Sequence, residues 1–146
     1  MSKIGARLSK LIKQNDQSVF ITKVDIKSVE ELSKCVEKMV KECPETLIII
    51  SGDTKDNKLI SASYVPIRYS DYQNILEQTI SKSGIPSSQV YSTFSNGKIV
   101  EISYPPDSEQ YAFKNVDLIN GTAFSILKKA GIYQEESSEE EYGTDF

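Results

Sequence analysis

Apolar residues recur at helical spacing from the start of the chain. Ile4, Leu8, Leu11 and Ile12 share one face of a helix predicted over residues 3–14, and Lys3, Arg7, Lys10 and Lys13 take the rest. Asn15 and Asp16 break it. Residues 19–24, Val-Phe-Ile-Thr-Lys-Val, read as a strand, with Val19 and Ile21 on one side and Phe20 and Val24 on the other. Ser28 with Glu31 three positions on forms a capping-box pattern. Behind it Val29, Leu32, Val36, Met39, Val40 and Cys43 keep an i, i+3, i+4, i+7 register that Pro44 stops. Residues 46–51 hold the longest aliphatic run, Leu-Ile-Ile-Ile, which suits the centre of a sheet. Turn-forming residues 52–57 lead to a returning strand at 59–65, ended by Pro66.

Ser70 is the predicted cap of a second amphipathic helix, with Tyr72, Ile75, Leu76, Thr79 and Ile80 inward and Gly84 as its stop. Strands predicted at 89–94 and 98–104 flank Ser95-Asn96-Gly97, a hairpin signal, and Pro105-Pro106 follows. A last helix is predicted from Val116 or Asn120 to Ala130, with Ile119, Ala123, Phe124, Ile126, Leu127 and Ala130 inward and Gly131 beyond its end. The expected fold is α+β: one mixed or antiparallel sheet of about five strands with helices packed mainly on one face. Residues 1–16 form a basic amphipathic helix leading into the domain, 17–133 a single globular unit, and 134–146 an acidic tail expected to be disordered.

Composition adds size and charge to this picture. At 146 residues, 38% hydrophobic and 26% charged, the chain has the make-up of one ordinary globular domain. Its net charge of −4 is unevenly spread. Glu135, Glu136, Glu139, Glu140, Glu141 and Asp145 place six acids and no base in the tail; removing those six from the 21 acids leaves 15 against 17 bases. The ends are therefore of opposite sign. The basic opening run precedes no long apolar stretch, so no secretory signal or membrane span is expected, and a cytoplasmic setting is. Cys35 and Cys43 are eight apart on one predicted helix, about 12 Å along its axis, too far to bridge.

The chemistry that composition excludes narrows the function further. With no histidine, the commonest general base and metal ligand are missing, and two separated cysteines do not make a structural zinc site. Gly52-Asp-Thr-Lys lacks the phosphate-loop pattern, and Gly52 reads as a turn glycine. Asp53 and Asp56 share their loop with Lys55 and Lys58 and read as turn formers. No pair of carboxylates stands out by spacing. The expectation is a binding protein without cofactor or metal, not an enzyme.

Four stretches carry a resemblance: residues 18–25 (Ser-Val-Phe-Ile-Thr-Lys-Val-Asp), the helix at 28–43, the strand at 44–51, and the hairpin running into Ser61-Ala-Ser-Tyr-Val-Pro66. Together they resemble the C-terminal globular domain of alanyl-tRNA synthetases, of the DHH-associated family. Tyr111-Ala-Phe-Lys-Asn-Val116 and the helix after it are similar to that family's Lys-Asn-Val element and terminal helix. The family's glycine-rich loop is replaced by residues 87–109, which hold one glycine, Gly97. The resemblance implies non-catalytic tRNA binding, at most as part of an aminoacyl-tRNA synthetase, and in some members dimerisation.

On that reading Lys82, Lys98 and Lys114 contact phosphates, Asn115 bonds sugar or base, and Tyr91, Phe94 and Tyr104 stack on bases. Each lysine taken singly also reads as a solvated surface side chain. The basic first helix reads either as a helix laid on the domain or as an arm for RNA or a partner. The alternative function is a protein-interaction module, working through its sheet and hairpin surface and its tail. In the tail Glu139, Glu140, Glu141, Tyr142 and Phe146 would engage a basic partner by charge and aromatic anchoring. Ser137 and Ser138 each have a glutamate three positions later, a context for phosphorylation.

Overall fold

The computed structural model describes residues 3–56, 58–84, 88–94, 97–103 and 112–132. In chain order these form α1 (Lys3–Asn15), β1 (Val19–Lys23), α2 (Val29–Glu42), β2 (Leu47–Asp53) and β3 (Lys58–Tyr64). A 3-10 segment (Ile67–Tyr72), α3 (Ile75–Ser83), β4 (Ser88–Phe94), β5 (Gly97–Ser103) and α4 (Ala112–Lys129) follow. The class is α+β, and both hairpins share one mixed five-stranded sheet in the order β1-β2-β3-β5-β4. β1 runs parallel to β2 through the α2 crossover, and the other pairings are antiparallel. The acidic tail expected at 134–146 lies outside the described residues, as do Ser95, Asn96, Tyr104 and the Pro-Pro pair.

Helix placement departs from the expectation of a mainly one-sided layer. Phe20, Ile48, Ile50, Ile60, Ala62 and Ile99 point to one face, where Leu8 and Ile12 of α1 and Leu32, Val36 and Met39 of α2 cover them. Val19, Leu47, Ile49, Leu59, Val100 and Ile102 point to the other, beneath Ile75, Leu76 and Ile80 of α3 and Val116, Ile119, Ala123 and Leu127 of α4. Two helices thus lie on each face. The cause is β2, which is apolar at both parities from Leu47 to Ile50 and buried throughout that run. A strand of that pattern needs cover on both sides.

The α2 cap forms much as its sequence predicts. Ser28 Oγ accepts from the Glu31 amide at 3.1 Å, while the Glu31 carboxylate turns to the Lys27 amide at 3.3 Å and leaves the Ser28 amide. Ser28→Ala should cost about 1 kcal/mol, read as a lowered urea midpoint with an unchanged m-value. An unaffected midpoint would show that α2 is held by packing alone.

Two helix starts move. α3 begins at Ile75, and Ser70 lies instead in the 3-10 segment that Pro66 opens, where Tyr69 N–H donates to Pro66 O and Gln73 N–H to Ser70 O. α4 begins at Ala112, earlier than the Val116 or Asn120 start. Its end is a Schellman turn: Gly131 at φ +82° donates to Lys128 O, Ile132 N–H donates to Leu127 O, and the Ile132 side chain packs on the cluster containing Leu127.

Candidate nucleic-acid interface

The predicted contact residues fall on the α3/α4 side of the sheet without forming one cationic row. Lys98 lies on β5, opposite Ser63 of β3, and its ammonium is held by Glu77 Oε2 at 2.8 Å and Asn74 Oδ1 at 3.2 Å. Asn74, the residue before α3, therefore spends its side chain on Lys98 and makes no cap. A lysine neutralised by a carboxylate is a poor phosphate ligand, so Lys98 is better read as a tie between β5 and α3. Tyr91, two strands from the sheet's middle, has its hydroxyl pKa pushed up, chiefly by burial and then by Glu77.

Lys82 stands in the last turn of α3, exposed. With Asp117, Leu118, Gly121, Thr122 and Ser125 it lines an open groove of about 340 Å³ beside α4. Lys114 is exposed in the first turn of α4 and Asn115 beside it is half-buried. Lys82 and α4 are thus neighbours, whereas Lys98 lies by the opposite end of α3. The side chain of Phe94 and the tail residues Glu139, Glu140, Glu141, Tyr142 and Phe146 lie outside the described residues.

A denser run of uncommitted positive charge lies on the other face. α1 carries four bases and no acid. Its buried stripe is Gly5, Leu8, Ser9 and Ile12, and Leu11, assigned inward by the sequence pattern, is 38% exposed. The rotation follows from how closely α1 approaches α2. A Cβ built on Gly5 would sit 2.8 Å from the Cys35 carbonyl oxygen and 3.0 Å from Lys38 Cβ, so only glycine fits there. Ser9 Oγ donates back to Gly5 O at 2.7 Å and the Cys43 thiol to Ser9 O at 3.6 Å, which keeps the contact small and satisfied.

That rotation turns Lys3, Arg7 and Lys10, at i, i+4 and i+7, straight to solvent. Among the described residues none of the three is in an ion pair. Lys34, Lys38 and Lys41 make a second stripe at the same spacing on α2, and the Gly5 contact puts Lys38 against α1. Between the helices Glu42 bridges Lys13 at 2.7 Å and Lys38 at 3.7 Å. Its hydrogen bond to Lys13 holds the Glu42 carboxyl below the usual range and raises the Lys13 ammonium. The sequence signal was the acid-free opening run. Its convergence with the α2 lysines needed the Gly5 contact, which no periodicity reveals.

Both thiols are buried behind this face and neither is in a disulfide. Burial pushes the Cys43 thiol up, with Lys13 acting against it. Cys35 and Cys43 should therefore resist iodoacetamide in the folded protein and react once urea unfolds it. Rapid labelling without denaturant, read by mass spectrometry, would mean that α1 lifts from α2.

Among the described residues, no three His, Cys, Asp or Glu side chains gather as a metal-binding set, and no helix is long and apolar enough to cross a membrane. In comparisons with known proteins, no family model and no curated protein matches the chain.

Proposed function

We propose that this chain is a non-catalytic RNA-binding domain, with tRNA the ligand its resemblance suggests, and that the α1/α2 layer is its main contact surface. The observation that carries the reading is the exposed Lys3, Arg7 and Lys10 stripe on a helix without acids, beside Lys34, Lys38 and Lys41. The apolar side of α1 is spent on the domain core through Leu8 and Ile12, which leaves its charged side for a ligand. The cations of the acid-free α1, set beside α2 lysines that alternate with Glu30, Glu37 and Glu42, suit a phosphate backbone, which is recognised by charge more than by base edges. Lys82 and Lys114, across the sheet, form a secondary footprint, and Lys98 is not part of it. Titration with tRNA at two salt concentrations tests this. Binding should weaken steeply as salt rises, and absence of binding at low salt would sink the proposal.

A second reading has its own support in β4. This strand ends the sheet and has no charged residue from Ser88 to Phe94. Val90 is 61% exposed, Tyr91 42%, and Ser92 and Thr93 are exposed, so both faces of the strand meet solvent. Among the described residues no strand pairs with its outer side, and an uncharged edge of this kind is a template for strand addition by a protein partner. Val90→Lys should abolish such pairing and leave tRNA affinity unchanged; a partner retained by the variant would rule out the edge.

A further inference from the structure

The chain carries an acidic segment complementary in charge to the α1/α2 cations. Ile132 packs against the cluster that includes Val19, Leu47 and Leu127, and the first two stand at the end of the sheet where β1 and β2 begin. α1 finishes at that same end, since Gln17 N–H donates to Ile12 O two residues before β1 starts. The exit from α4 and the last turn of α1 therefore flank one end of the sheet from opposite faces. Crossing between them means passing two layers, roughly 20 Å in all. An extended chain covers about 3.3–3.6 Å per residue, so residues 133–141 span about 30 Å. That length is sufficient to round the β1 edge and bring residues 139–141 within reach of Lys10 and Arg7.

Charge identifies the occupant. Residues 135–141 hold five glutamates and no base, while Lys3, Arg7, Lys10, Lys34 and Lys41 have no acidic partner among the described residues. We infer that the acidic segment 135–141 engages the α1/α2 basic face through Glu139, Glu140 and Glu141 as an intramolecular competitor for RNA. The docking stands on charge and reach; the competition rests on the RNA reading. Tethering makes the segment's local concentration high, in the millimolar range for a short flexible connection, so even weak pairing competes. Phosphate on Ser137 or Ser138 would add negative charge to the docked segment and tighten it.

The test compares the full chain with a full-length variant in which Glu135, Glu136, Glu139, Glu140 and Glu141 are all changed to Gln. Amide shifts of α1 and α2 are recorded at low and high salt, carboxylate-to-lysine cross-links are mapped, and tRNA affinity is measured. Docking predicts that the Arg7, Lys10 and 34–41 amides differ between the proteins at low salt and coincide at high salt. It predicts cross-links from residues 139–141 to Lys10, Lys34 or Lys41, and tRNA binding about three- to tenfold tighter in the variant. Coincident low-salt shifts without those cross-links overturn it, even if affinity rises, because general repulsion would then account for the gain. If neither protein binds tRNA while the shifts differ and the cross-links form, docking stands and the RNA reading falls.

Discussion

Replacing Gly52 with alanine is expected to remove about 2 kcal/mol of stability, although Gly52 lies in a strand and not in a turn. The sequence pattern marks it as a turn glycine; in the structure it is the sixth residue of β2, opposite Ile60. A Cβ there would lie 2.5 Å from the Val24 carbonyl oxygen and 2.8 Å from Ile26 Cγ1. The chain leaving β1 passes directly over Gly52 on its way to α2, tied by the Val24 amide to Ser51 O at 2.9 Å. The obstructing atom is backbone, so it cannot rotate away, and β1 or the 24–26 connection must shift. Overpacking of this kind costs about 1–3 kcal/mol, while alanine returns up to about 1 kcal/mol of glycine's backbone entropy. Gly121→Ala is the control. Nothing lies within 4 Å of its built Cβ on the exposed side of α4, so it should stabilise by about 0.5–1 kcal/mol. Urea midpoints for the pair should move in opposite directions. Gly52→Ala at the wild-type midpoint would refute the close-approach account.

Reversing Lys3, Arg7 and Lys10 together to Glu should weaken tRNA binding by more than tenfold at low salt. If each contacts a phosphate, the slope of log affinity against log salt should fall by about 2–3, at roughly 0.7–0.9 per contact. The fold should be spared, because all three side chains are exposed and α1 is anchored by Leu8, Ile12 and the Gly5 contact. A circular dichroism melt separates the two effects. A parallel Lys98→Glu variant should behave in the opposite way. It would place a carboxylate against Glu77 and Asn74 and lower stability, with a smaller effect on the salt slope. Equal loss of binding in both variants would mean that the charge, and not the α1 surface, matters.

Much of the fold was legible because the relevant signals are local. The α2 register, the all-apolar β2 run and the αL glycines at 84 and 131 each sit within a few residues of the element they specify. Long-range choices were harder to read. Ser70 is a credible cap by composition, yet Pro66 opens a 3-10 segment there and α3 starts only after Asn74, whose side chain Lys98 claims. Leu11 fits the inner face of α1 by spacing, yet the Gly5 approach to Cys35 rotates it outward. The cationic surface was half legible: the acid-free helix is plain in the sequence, whereas its union with the α2 lysines depends on that same approach. Lys98 illustrates the converse, because its neutralising partner is 21 positions away.

An apolar strand with no inside and outside carries little information about alignment. Sliding Leu47–Ile50 by one position along β3 would exchange aliphatic for aliphatic on both faces, so burial alone would scarcely oppose the slip. The hydroxyls of Ser51 and Ser61, directly opposite in the β2–β3 pair and 2.7 Å apart with neither exposed, supply what the aliphatic run lacks. Displaced by one residue, each would be stranded in hydrocarbon without a mate, at about 1–3 kcal/mol apiece. Two small polar atoms thereby act as the index mark against which the rest of the sheet is aligned.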